Sequence, residues 1–148
     1  MENNNYDQLK LDNQLCFPLY ACARAIVKQY KPFLDEIDLT YTQYITMMVL
    51  WEHRQVTSKA LGEKLFLDSG TLTPVLKKLE EKGFVSRARD SHDERNLMVT
   101  LTEKGEALRE PASKVPGKMA SCIPLEPGEA MTLYNILHKM LDKTTDAQ

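Results

Sequence analysis

A mostly α-helical chain carrying one small β-hairpin is the fold class this sequence predicts, and three observations predict it. Residues 69–82 place Leu72, Val75, Leu76 and Leu79 at the i, i+3, i+4, i+7 spacing of an amphipathic helix. Just after Gly83 the period changes, and 84–89 and 97–101 read as two short strands separated by the polar segment 90–96. Long segments near both ends, about 13–34 and 126–141, carry apolar residues at helical spacing.

The elements follow in order. Residues 1–10 are polar and read as a frayed start. The first helix, about 13–34, has Leu15, Leu19, Cys22, Ile26 and Phe33 at apolar positions, with Asp12 or Asn13 as candidate caps. Pro18 falls in its first turns and Pro32 at its end, where proline is tolerated. After a connection at 35–41, residues 42–53 read as a buried helix with Tyr44, Ile45, Met48, Val49 and Trp51. A short helix at 57–65 turns Ala60, Leu61 and Leu65 inward; 67–70 is a turn, and 69–82 is the next helix, closed by Gly83. Beyond the hairpin, Thr102 and Glu103 open a helix that Pro111 and Pro116 interrupt. In the last helix Met131, Tyr134, Leu137 and Leu141 share one face. Two helices joined by a tight turn and followed by a hairpin make a winged helix-turn-helix.

Composition bounds the rest. The 148 residues suit one domain, alone or with an oligomerisation element. No apolar run approaches the roughly 20 residues of a membrane span, and the polar N-terminus lacks a signal-peptide pattern, so no membrane partner and a cytoplasmic location are expected. Three cysteines fit no disulfide framework and are read as thiols. His53, His92 and His138 show no ligand spacing, so no metal site or cofactor is expected. No phosphate loop, Ser-His-Asp order or paired-carboxylate pattern points to an enzyme. The net charge of −2 means that contact with double-stranded DNA must rest on local shape and local charge.

Two constellations carry chemistry. The helix 69–82 is the candidate recognition helix: Ser69, Thr71 and Thr73 lie near its start, small or hydroxylic enough to approach base edges, and Lys77 and Lys78 follow for phosphates. The plainer alternative is that Ser69 caps the helix and the lysines are solvated. In the wing, Arg87 and Arg89 precede a tip arginine, Arg95, suited to a minor groove, with Asp90 near enough in sequence to brace it. The second constellation is Cys16, close to the start of the first helix, where the partial positive charge favours the reactive thiolate. Its alternative is a small buried apolar residue.

The run Asp68-Ser69-Gly70-Thr71-Leu72-Thr73-Pro74-Val75-Leu76-Lys77-Lys78-Leu79-Glu80 resembles the recognition segment of the MarR family of dimeric winged-helix repressors. Asp93-Glu94-Arg95, followed by Leu101-Thr102-Glu103-Lys104-Gly105, resembles that family's wing and exit. Gln14-Leu15-Cys16-Phe17-Pro18-Leu19-Tyr20 is similar to the OhrR-type branch of organic hydroperoxide sensors and its thiol-based global-regulator relatives, as is Val115-Pro116-Gly117. The resemblance implies a homodimer held by terminal helices in 1–36 and 103–148, with a DNA-binding domain at 37–102 that reads a pseudo-palindromic operator. It implies Cys16 as the redox-sensing thiol, with Tyr20, Tyr30 and Tyr41 hydrogen-bonding its sulfur and organic hydroperoxide as effector. Tyr20 shares a helix face with Cys16. Tyr30 lies about 21 Å further along a straight helix, so both can serve one sulfur only if Tyr30 comes from a partner subunit. Cys22, six residues from Cys16, reads as packing. Cys122 matches loosely the resolving cysteine of two-cysteine members, leaving open an intersubunit Cys16–Cys122 disulfide or a mixed disulfide with a small thiol. The rivals are a MarR-type repressor answering a non-covalent apolar or phenolic ligand, a thiol-based global regulator of virulence or resistance genes, and a thiol peroxidase.

Overall fold

The computed structural model describes residues 5–92 and 96–145, which form two compact units, Met1–Pro116 and Gly117–Gln148. The first unit opens with two 3-10 turns, Asp7–Leu9 and Leu11–Asn13, so part of the expected frayed start is ordered. These turns also displace the first helix. Asn13 does not cap it: its side-chain amide donates backward to the Asp7 carbonyl (2.7 Å), and Gln14 donates to the Gln8 and Lys10 carbonyls. Helix α1 therefore begins later than expected, as Cys16–Asp35, with Leu15 before it and no side-chain cap.

The helices that follow start on polar caps. Helix α2 (Tyr41–His53) begins with a capping box between Thr40 and Gln43, α3 (Ser58–Leu65) with Thr57, and α4 (Ser69–Glu81) with Asp68. Each cap oxygen accepts a backbone N–H that the helix leaves without a partner. The cap of α4 is thus Asp68 and not Ser69. Gly83, at φ 83°, ends that helix in the conformation expected of it.

Strands β2 (Val85–Arg89) and β3 (Leu97–Leu101) pair antiparallel with Arg87 opposite Val99. A third strand not anticipated from sequence, β1 (Gln55–Thr57), pairs on the other side of β3, giving the order β1-β3-β2. Beyond the sheet lie α5 (Glu103–Ala107), α6 (Arg109–Ala112) and α7 (Val115–Ala120), the interrupted helix that the prolines imply. Pro111 and Pro116 each sit in the first turn of a segment, where a missing N–H costs least.

Met47, Leu50, Leu61, Leu72, Leu76, Leu79 and Val99 are almost wholly buried and join α2, α3, α4 and the sheet. Each is worth about 1.5–3 kcal/mol of burial. On α2 the inward methionine is Met47; Met48, expected inside, is exposed. Gly105 closes the module. A Cβ there would stand 2.2 Å from the Phe84 carbonyl oxygen, so only glycine lets α5 lie against the root of the wing. The Gly105 carbonyl accepts the Trp51 indole N–H at 2.9 Å, which anchors α2 to the same point. In the second unit, α8 runs Pro127–Thr145. Among the described residues no helix is long and apolar enough to cross a membrane.

Candidate thiol site and nucleic-acid interface

Cys16 is the first residue of a 20-residue helix, and it is exposed. Since no side chain caps α1, its leading N–H groups retain their partial positive charge beside the thiol. Tyr20, one turn along, is also exposed. Its hydroxyl accepts from the Arg24 guanidinium at 3.4 Å, and the same guanidinium lies over its ring at 5.5 Å.

The other two tyrosines lie at the opposite end of α1. Tyr30 and Tyr41 meet with ring centroids 4.9 Å apart, and a third ring joins them: Tyr44, 5.9 Å from Tyr30 and 6.4 Å from Tyr41. Burial pushes the phenols of Tyr30 and Tyr44 up, with the neighbouring phenols adding to the effect. Among the described residues none of the three hydroxyls has a hydrogen-bond partner. Fourteen residues of helix, about 21 Å, separate this cluster from Cys16 of the same chain. Sequence reasoning placed Tyr44 in the core without linking it to Tyr30 and Tyr41; the signal for that link was the spacing Tyr41-x-x-Tyr44, which puts both rings on one face of α2's first turn.

Cys22 is exposed on α1, where packing had been expected. Cys122 follows α7, is exposed, and donates its S–H to the Lys118 carbonyl at 3.4 Å. Among the described residues no group of three His, Cys, Asp or Glu side chains is placed to hold a metal ion.

On α4, Ser69, Thr71 and Thr73 are all exposed at the helix start. Asp68 takes the Thr71 N–H at 2.7 Å, which holds its carboxyl below the ordinary range and leaves the Ser69 hydroxyl uncommitted to capping. The Thr73 hydroxyl donates to the Ser69 carbonyl at 2.7 Å, so its methyl and lone pairs are what it offers outward. Lys77 is exposed, whereas Lys78 pairs with Glu81 at 3.4 Å.

The wing divides its arginines. Arg87 is turned back onto the recognition helix: its guanidinium donates to the Glu80 carboxylate (3.2 and 3.3 Å), and its backbone N–H donates to the other oxygen at 2.9 Å. Arg89 is exposed. Asp90 donates its N–H to the Asn96 carbonyl and accepts the His92 N–H, shaping the base of the loop. Arg95 lies outside the described residues. Glu80 and Lys82 were missed in sequence. Lys82 Nζ, at the end of α4, donates to the Asp38 carbonyl (2.6 Å) and to Gln43 Oε1 (2.9 Å), tying the recognition helix to the first turn of α2.

Comparison with known proteins places this geometry in context. The family model of the SarA/Rot transcriptional regulators matches residues 28–110. The organic hydroperoxide resistance transcriptional regulator of Bacillus subtilis is 45% identical over 139 residues, covering 94% of this chain and 95% of the relative. The transcriptional regulator SarZ of Staphylococcus aureus is 43% identical over 136 residues, 92% of each chain. Among solved structures, reduced AbfR bound to DNA matches with a TM-score of 0.77 at 35% identity, over 94% of this chain and 96% of that one.

Proposed function

The chain belongs to the SarA/Rot family of transcriptional regulators, of the MarR winged-helix type, and from that premise we propose that it is a cytoplasmic, homodimeric repressor whose Cys16 senses organic hydroperoxide. The observation that carries this reading is the exposed Cys16 at the uncapped start of α1. The relatives support it: the B. subtilis protein is named for organic hydroperoxide resistance, and AbfR was solved both reduced on DNA and in a disulfide-formed state.

Two copies are needed on physical grounds. Helix α1 exposes Phe17, Leu19, Ile26 and Val27, and α8 exposes Met131, Leu133, Tyr134, Ile136 and Met140. Leu125, Leu133 and Ile136 also line a shallow apolar groove at the start of α8. Leu133, Ile136 and Met140 recur at helical spacing on one side of α8, and an exposed apolar stripe of that kind marks a protein interface. The dimer presents two α4 helices to successive major grooves of a pseudo-palindromic operator. Ser69, Thr71 and Thr73 face base edges, Lys77 and Arg89 meet phosphates, and Arg95 reaches the minor groove. Arg87 and Asp90 orient the wing that carries it.

Oxidation works as follows. The Cys16 thiolate attacks the terminal oxygen of the hydroperoxide; an S–O bond forms as the O–O bond breaks, and the leaving alkoxide takes a proton to become the alcohol. The sulfur loses the two electrons that the peroxide gains, giving a sulfenic acid, so the protein is a stoichiometric sensor. Condensation with a thiol forms an S–S bond and releases water. That thiol is Cys122 of the partner subunit or a small cellular thiol, and Cys122→Ser separates the two on a non-reducing gel. A full switch requires the two states to differ in operator affinity by about 5.5 kcal/mol, which a covalent change at the dimer can supply. The test is an operator titration with and without cumene hydroperoxide. Wild type releases DNA on oxidation, whereas Cys16→Ser binds normally and ignores the oxidant. Release by the Cys16→Ser protein overturns the reading.

A further inference from the structure

We propose that Tyr44 is a positioning residue of the thiol site, setting the rings of Tyr30 and Tyr41 so that their hydroxyls meet the Cys16 sulfur of a second copy. The inference rests on the redox reading above and adds to it a residue that makes no contact with the sulfur itself. A tyrosine that hydrogen-bonds a sulfur needs its ring held at a fixed angle, because two side-chain torsions otherwise sweep the hydroxyl over several ångströms. Among the described residues neither Tyr30 nor Tyr41 has its hydroxyl tied down, and both are only partly buried. Ring packing is therefore what orients them.

Tyr44 is the anchored member of the cluster. It retains 3% of its surface exposure, against the partial exposure of the other two, and it stands in α2 three residues after Tyr41. Its ring is tilted 44° to that of Tyr30 and 50° to that of Tyr41, with centroids 5.9 and 6.4 Å away, inside the separation of about 4.5–7 Å over which aromatic pairs attract. It is the one ring that touches both partners from a fixed place in the core. Tyr30 arrives from α1 and Tyr41 from the first turn of α2, so Tyr44 also fixes the angle at which these two elements present their phenols.

The experiment follows oxidation of Cys16 by cumene hydroperoxide in the full-length dimer, by thiol labelling, alongside operator affinity of the reduced protein. Tyr44→Leu is expected to slow oxidation about tenfold, the scale of two lost aromatic contacts, with reduced-state operator affinity within about twofold of wild type. Tyr44→Phe, which keeps the ring and the fold, is expected to restore the wild-type rate. In a Tyr30→Phe/Tyr41→Phe background, Tyr44→Leu is expected to add no further slowing, because the hydroxyls through which it acts are gone. A merely structural role would slow all backgrounds alike. The proposal is overturned if Tyr44→Leu oxidises at the wild-type rate, if Tyr44→Phe is slow, or if the effects multiply in the triple variant. Should Tyr44→Leu fail to fold, Tyr44→Met, which fills more of the space without a ring, takes its place in the same comparison. Failure here with normal oxidation of wild type leaves the redox reading intact; a wild-type Cys16 untouched by hydroperoxide overturns both.

Discussion

The winged module and the two long terminal helices are built from the same residue types, yet one closes its core within a single chain and the others do not. Between α2 and β3, leucines, Met47 and valines interlock at low exposure, and caps and wing are tied by side-chain hydrogen bonds. Along α1 only Leu34 is buried, and α8 shows a row of exposed apolar residues. The difference teaches where regulation resides. Under the proposed redox reading, a head whose core is complete within one chain needs nothing from a second copy, so control is expected to act through the parts that a second copy would complete. The proposed thiol site repeats this division, with Cys16 at the exposed start of α1 and Tyr30 and Tyr41, the phenols proposed to serve it, near the buried Leu34 end.

The largest expected effect comes from breaking the incomplete region. Ile136→Glu puts a charge on the exposed apolar face of α8. It is expected to yield a folded monomer by light scattering, with operator affinity reduced by about a hundredfold or more, because two linked reading heads become two independent ones. A monomer that binds the full operator as tightly as wild type would falsify the division drawn here. Next in size is the wing tip. Arg95→Ala is expected to weaken operator binding by about 1–3 kcal/mol. A change within twofold at matched salt removes Arg95 from the minor groove.

The same contrast explains what sequence reasoning could see. The helix-turn-helix and the wing hairpin were legible because their burial is local: the stripe from Leu72 to Leu79 and the change of period after Gly83 record it directly. Strand β1 was not, since three residues carry no period and are held only by β3. The start of α1 was misplaced because Asn13, a good cap by composition, spends its amide on the Asp7 carbonyl. Cys16 thereby stands at the first residue of α1 and not one turn inside it. Tyr44 was read as core, which it is; its contact with the rings of Tyr30 and Tyr41 depends on α1 folding back against α2. Arg87 was read as a DNA contact, and the Glu80 carboxylate that claims it lies seven residues earlier on another element.

Thr73 offers a finer test of the reading head. Its hydroxyl hydrogen is committed to the Ser69 carbonyl, so the methyl is the group left to meet a thymine methyl or another apolar edge. Thr73→Ser, which removes the methyl, is expected to cost about 1 kcal/mol against the preferred operator, and Thr73→Val less than that. Competition binding across single-base operator variants checks this; the opposite ranking would make the hydroxyl the reader.

The smallest effect concerns the brace between α4 and the wing. Hydrogen bonds from Arg87 hold the Glu80 carboxyl below its ordinary value of 4.5. A carboxyl whose folded value is depressed adds stability that is fully present above its unfolded value and is lost as pH falls through the folded one. Wild type should therefore melt above Glu80→Gln at neutral pH, and the gap should close as pH falls below the ordinary carboxylate range. Both groups are partly exposed, with Arg87 at 21% and Glu80 at 40%, so screening keeps the gap to a few degrees at most. Raising the salt should shrink it further. Operator affinity supplies the second readout, because this ion pair sets the direction in which the wing leaves the recognition helix. Glu80→Gln should bind operator more weakly at neutral pH while oxidising at Cys16 at the wild-type rate, since the brace lies wholly within the self-sufficient module. Were Glu80→Gln to alter the oxidation rate instead, the reading head and the thiol site would be coupled through the wing, and the separation between closed and incomplete regions would have to be redrawn around Arg87.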